Sequence, residues 1–130
     1  MFTAEQIKAA HAKVKSGADF PNYIGALKSL GIQFYETYVW DGHTDFHGND
    51  GYKIITDAKY ERKSVADIGN VAQLMASLAA HQQGHSDYPT FCKESAENGV
   101  EKWRVDMAAM TCSYYDKAGK LMFSEAIPQR

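Results

Sequence analysis

The residues best suited to chemistry lie close together in His43-Thr44-Asp45-Phe46-His47. On a β-strand alternate side chains share a face, so His43, Asp45 and His47 would project together, with Thr44 and Phe46 on the other side. Two imidazoles and a carboxylate suit zinc or non-haem iron, and His81 is a fourth candidate ligand for such a divalent metal. Successive same-face residues on one strand start about 7 Å apart, so three of them reach one ion only if the strand distorts. The competing reading is a polar, solvated strand or turn face with the ordinary pH sensitivity of histidine. Neighbouring motifs fail on spacing. Counting a calcium loop from Asp41 puts His43, Phe46 and Tyr52 where such a loop needs an oxygen ligand, a glycine and a glutamate. Gly48-Asn49-Asp50-Gly51 lacks the lysine and following helix of a phosphate loop. No Gly-x-Ser-x-Gly elbow or His-Glu-x-x-His pattern occurs.

A second cluster is aromatic. Phe34, Glu36, Tyr38 and Trp40 would share one face of a strand whose other face presents Tyr35, Thr37 and Val39. The second set reads as core. The first reads either as packing beneath helices or as a partner or ligand surface, because large aromatic residues dominate binding hot spots. Cys92 and Cys112 form no C-x-x-C pair and read as reduced core thiols.

The elements that must position these residues follow from periodicity and punctuation. Apolar spacing predicts helices over about 3–15 and 71–83. Asp19 and Asp87 are suited to cap second helices that carry Pro21 and Pro89 in their first turns and end at Gly31 and Gly99. Strands follow at 32–40 and 100–108, then at 43–47 and 110–115, and through turns at 48–51 and 116–119 into 52–58 and 120–127. The segment 60–70 is the connector, with 60–63 expected to be exposed.

The two series are offset by 68 residues without a gap. Asp19-Phe20-Pro21 is echoed by Asp87-Tyr88-Pro89, Gly31-Ile32 by Gly99-Val100, Tyr35 by Trp103 and Gly51 by Gly119. The expected fold is therefore α+β. Two duplicated α-α-β-β-β units, about 3–59 and 71–127, would pack as one pseudo-two-fold domain over 1–130, with antiparallel strands in one joined sheet or two. Under the same offset Phe34, Glu36, Tyr38 and Trp40 correspond to Lys102, Arg104, Asp106 and Ala108, so one face is aromatic in the first half and charged in the second. Glu36 and Arg104, at equivalent positions, could meet across the axis. His43, Asp45 and His47 correspond to Thr111, Ser113 and Tyr115, so a metal is no requirement of the fold.

Composition limits the function. With 14 basic and 16 acidic side chains and a net charge of -2, the chain lacks the basic footprint of a nucleic-acid binder. No apolar run approaches the ~20 residues of a bilayer span, and the first residues do not read as a secretory signal, so a cytoplasmic protein without membrane insertion is expected. The segments MFTAEQIKAAHAKVKSGADFPNYIGALKSLGI, AAHQQGHSDYPTFCKESAENGVEKW and VDMAAMTCSYYDKAGK together resemble the YbcV-like family of small prophage-associated bacterial proteins, which carry a domain of unknown function and are sometimes labelled phage envelope proteins. The resemblance implies no activity, cofactor or catalytic residue, and any envelope role would come through a partner. Two functional expectations remain. The first is a non-enzymatic binding or regulatory module, without a cofactor, that uses Phe34, Glu36, Tyr38, Trp40 and Arg104 for an unknown protein partner or for self-association. The second is a small enzyme or sensor using His43, Asp45, His47 and His81 between the halves.

Overall fold

A computed structural model describes residues 2–14, 19–82 and 88–126. Helix α1 (Ala4–His11) begins at a reciprocal cap: the Thr3 hydroxyl accepts from the Gln6 amide at 3.2 Å and the Gln6 side chain accepts from the Thr3 amide at 2.9 Å. Helix α2 (Phe20–Ser29) carries Pro21 in its first turn, where no intrahelical bond is lost. Asp19 occupies the cap position in an α-helical backbone conformation and makes no side-chain cap bond, so the expected carboxylate cap is not made. Its counterpart Asp87 lies outside the described residues. Strands β1 (Phe34–Tyr38), β2 (Thr44–His47) and β3 (Lys53–Ile55) follow. The series then recurs as α3 (Val71–Gln82), α4 (Tyr88–Glu97), β4 (Lys102–Asp106), β5 (Thr111–Tyr115) and β6 (Leu121–Ala126).

Both second helices stop in the same way. Ile32 N–H donates to Leu27 C=O and Gly31 N–H to Lys28 C=O; in α4, Val100 donates to Ser95 and Gly99 to Ala96. This closure requires a left-handed residue, and Gly31 (φ 96°) and Gly99 (φ 86°) supply it. The strands are shorter than their apolar patterns suggest because side chains and turns end them. Asp106 Oδ1 accepts from Ala108 and Ala109 N–H, each at 2.9 Å, and closes a turn after β4. After β1, Tyr38 N–H donates to His43 C=O and Gly42 N–H to Tyr38 C=O, so Trp40 sits in a turn beyond the strand.

The strands form one antiparallel sheet in the order β3-β2-β1-β4-β5-β6. The two series join at β1 and β4, so of the two expected arrangements the joined sheet is the one formed. Alternation divides the sheet as the pattern predicts. Tyr35, Thr37, Val39, Phe46, Trp103, Val105, Met107, Cys112 and Tyr114 are buried, and the apolar members cluster with Ile24, Leu27, Leu74, Leu78, Phe91 and Cys92 of the helices. Helical side chains thus cover one face. Residues 60–70 do not run free in solvent: the Tyr60 hydroxyl donates to Val39 C=O, Ala66 N–H donates to Ala96 C=O, and Val65 is buried. The expectation that Tyr60 is exposed is corrected by that bond and by the packing of its ring against the core.

Both cysteines are buried thiols in this core, and burial pushes the Cys112 thiol up to about 12. Because only the thiolate attacks disulfides, neither cysteine should react with Ellman's reagent in the native protein, while both react in denaturant. Prompt modification of one thiol in native buffer would contradict this burial.

Candidate functional site

The face turned away from the helices is organised in rows across the strands. The central row runs Ile55, Asp45, Glu36, Arg104, Ser113 and Ser124, set by the pairings Asp45–Ile55, Glu36–Asp45, Glu36–Arg104, Arg104–Ser113 and Ser113–Ser124. Glu36 is only 6% exposed at its middle. Arg104 reaches it through Nε at 3.0 Å and Nη2 at 2.8 Å, and Lys102 Nζ through a further 3.0 Å bond. All three converge on Oε2. Burial alone would raise the Glu36 pKa, but the hydrogen bonds and charges of Lys102 and Arg104 outweigh it and hold the carboxyl below its ordinary value. The equivalent positions of Glu36 and Arg104 offered their meeting as one option, which the β1–β4 pairing realises; the part of Lys102 was not foreseen. Its signal was the alternation that puts residues 102 and 104 on one face.

Ring pairs flank this row. Phe34 stacks on His47 with centroids 4.3 Å apart and an interplanar angle of 12°, and the Arg104 guanidinium lies 4.6 Å from the Phe34 centroid. On the other side Tyr38 stacks on His43 at 4.5 Å and 6°, with Lys102 Nζ 5.7 Å from the Tyr38 centroid. Burial pushes the Tyr38 phenol up, and the Lys102 charge opposes the shift. Trp40 stands edge-on to His43 at 5.0 Å, and Arg62 covers its indole at 4.6 Å. The aromatic trio is therefore on the helix-free side of the molecule, with Trp40 placed there by a turn and not by the strand.

His43 is tied to Asp41 by two contacts. Asp41 Oδ1 lies 2.5 Å from its Nδ1 and accepts its backbone N–H at 3.0 Å. That contact favours the Nδ1–H tautomer and leaves Nε2, 3.9 Å from Asp45 Oδ1, as the basic nitrogen. Asp41 was missed as a partner because its local turn, two residues from His43, resembles any Asx turn. Asp45 Oδ1 and His47 Nε2 are buried without a hydrogen-bond partner among the described residues. His81 is elsewhere, on α3, stacked at 4.7 Å on Phe91 of the helix-covered core. Among the described residues no three His, Cys, Asp or Glu side chains converge as a metal-ligand set.

Among the described residues, four helices on one side of a six-stranded antiparallel sheet, with the other side decorated by paired rings and ion pairs, define an α+β protein with an open sheet face. Residues 8–126 match the family model described as Protein of unknown function (DUF1398), and the chain belongs to that family. No curated protein matches the chain. No helix among the described residues is long and apolar enough to cross a membrane.

Proposed function

We propose that the protein is a small non-enzymatic binding module whose helix-free sheet face docks a protein partner, with a second copy of the chain as the simplest case. The observation that carries this reading is the placement of exposed apolar residues on that face. Ile55 is 58% exposed at one end of the central row, and Leu121, paired with Tyr115 near the far edge, is 51% exposed. Between them lie the ring pairs of Phe34 and Tyr38, with Trp40 beside them. Apolar residues around aromatic groups on a face that helices leave uncovered resemble an interface more than an ordinary solvated sheet. The resemblance to YbcV-like proteins would make a prophage-carrying bacterium the natural setting.

We also infer that the two halves descend from one duplicated unit. The support is the recurrence of α-α-β-β-β, the identical closure at Gly31 and Gly99, and the β1–β4 register. In that register Phe34 faces Asp106 and Tyr38 faces Lys102, centred on Glu36 and Arg104, which are 68 residues apart. This register is the one a two-fold axis through the Glu36–Arg104 pair would produce, and it supports the duplication.

The docking reading is tested with an Ile55→Lys, Leu121→Lys double variant. Both residues are exposed, so the melting temperature should stay within a few degrees of wild type. Dimerisation in sedimentation velocity, or capture of a partner from lysate of prophage-carrying cells, should be lost, while Lys93→Glu on the exposed side of α4 retains it. Undiminished association of the double variant would overturn the reading.

A further inference from the structure

A separate cleft lies where the connector crosses the end of the sheet. Lys63 N–H donates to Trp40 C=O at 2.6 Å and Lys59 N–H to Asp41 C=O at 2.8 Å, so the connector is laced to the turn after β1. At the start of β4, Glu101 is fixed on both sides of its backbone: its carbonyl accepts from Val39 and its amide donates to Tyr115. The space between has a volume of about 360 Å³ and is lined by Trp40, Arg62, Lys63, Ser64, Glu101 and Lys117, with Val65 closing it toward the core. A volume of this size falls in the range of small-molecule sites.

The charges of the cleft are held apart. Arg62 sits over the Trp40 ring, and Lys63 Nζ lies 4.9 Å from the Tyr60 centroid. Among the described residues neither cation has a carboxylate within ion-pair distance, and Glu101 pairs with none of the three cations around it. Lys117 is bonded to Asp67 at 2.9 Å, and that aspartate is 89% exposed, so the pair is well solvated and weakly held. In a protein of net charge -2, Arg62 and Lys63, neither of them paired with a carboxylate among the described residues, and Lys117, paired only with a solvated aspartate, thus surround one cleft whose single lining carboxylate is Glu101. Such a cavity favours an anion, because cations on its walls raise the local anion concentration and low-dielectric walls focus the field.

We propose that this cleft binds a phosphomonoester carried on a hydroxylated ring, the chemistry shared by a sugar phosphate and a mononucleotide. Arg62, Lys63 and Lys117 take the phosphate, with the planar guanidinium offering two parallel donors. The Ser64 hydroxyl adds a neutral donor. The Glu101 carboxylate accepts from ring hydroxyls, a role no cation on the walls can fill. The indole of Trp40 backs the Arg62 guanidinium and holds it at the wall of the cleft.

The test is isothermal titration of the full chain with ribose 5-phosphate, AMP, ribose and inorganic phosphate. Ribose 5-phosphate or AMP should bind with a Kd of about 1 mM or tighter and at least about tenfold better than ribose or inorganic phosphate. The tighter of the two esters identifies the source. The Arg62→Gln, Lys117→Gln double variant should lose about tenfold or more in affinity with an unchanged melting temperature, since both side chains are exposed. Glu101→Gln should shrink the preference for the ester over inorganic phosphate at least about threefold, because the ring loses its carboxylate acceptor while loss of the negative charge favours phosphate itself. Absence of binding by both esters, equal binding of inorganic phosphate, or wild-type affinity in the double variant would each overturn the proposal. None of these substitutions touches Ile55 or Leu121, so loss of partner docking and loss of ligand are separable.

Discussion

Glu36→Ala is expected to destabilise the protein by about 2–3 kcal/mol, read as a lowered urea midpoint with an unchanged slope. Glu36 is buried and accepts from Lys102 and Arg104 at 2.8–3.0 Å, so its removal leaves two cations on adjacent positions of one strand face with nothing between them. Breaking a fully buried pair costs about 3–5 kcal/mol. Here the cost falls below that range, because the Lys102 and Arg104 side chains are 27% and 41% exposed and regain some water. Added salt should recover part of the loss in the variant by screening the two cations from each other. The pH dependence has a definite sign. The Glu36 carboxyl is held below its ordinary value in the folded chain, so its contribution is complete above the normal glutamate range and disappears as pH falls through the lowered value. Wild type should therefore lose stability on acidification more steeply than Glu36→Gln. Parallel acid profiles for the two proteins would rule out this account of the central carboxylate.

Gly99→Ala is expected to cost about 3 kcal/mol and Gly31→Ala about 1 kcal/mol, although the two glycines close identical helix ends. Both hold a left-handed backbone, and an alanine pays that strain equally at either. Their surroundings differ. A Cβ on Gly31 meets nothing within 4 Å, whereas a Cβ on Gly99 would stand 2.7 Å from the Gly69 Cα and 2.9 Å from the Ile68 carbonyl oxygen. Those are backbone atoms and cannot swing away. Residues 69 and 70 are also tied down, since Asn70 N–H donates to Asn98 C=O at 2.8 Å. Thermal melts of the two single variants check the difference directly. Equal losses would mean that the connector does not press on the end of α4.

Much of the architecture was legible because local rules carried it. Helix starts and stops at Thr3, Pro21, Gly31 and Gly99 depend on residues within one turn, and the alternation of Tyr35, Thr37 and Val39 against Phe34, Glu36 and Tyr38 depends only on the pleat. The misreadings came from contacts between distant segments or from turns that override propensity. Trp40 continues an apolar, β-branched and aromatic run, yet hydrogen bonds across Tyr38–His43 turn the chain before it. Tyr60 sits among charged residues and looks exposed, but its hydroxyl reaches Val39, 21 residues earlier. His81 shares a residue type with His43 and His47, but α3 stacks it on Phe91, on the helix-covered side of the sheet.

By itself the sequence determined the element order, the two left-handed helix ends and the division of each strand into a core face and an open face. These follow from backbone sterics and side-chain periodicity, which act over a few residues. Only the tertiary structure decided that β1 and β4 lie side by side, and that pairing joins a buried glutamate to two half-exposed cations from a distant segment in one hydrogen-bonded cluster. It likewise decided that the connector would fold over the sheet end and bring Trp40, Arg62 and Glu101 to one open cleft. Strand pairing and cavity formation are set by how whole faces pack once their apolar areas are buried, and the spacing of residues along the chain does not encode that distance.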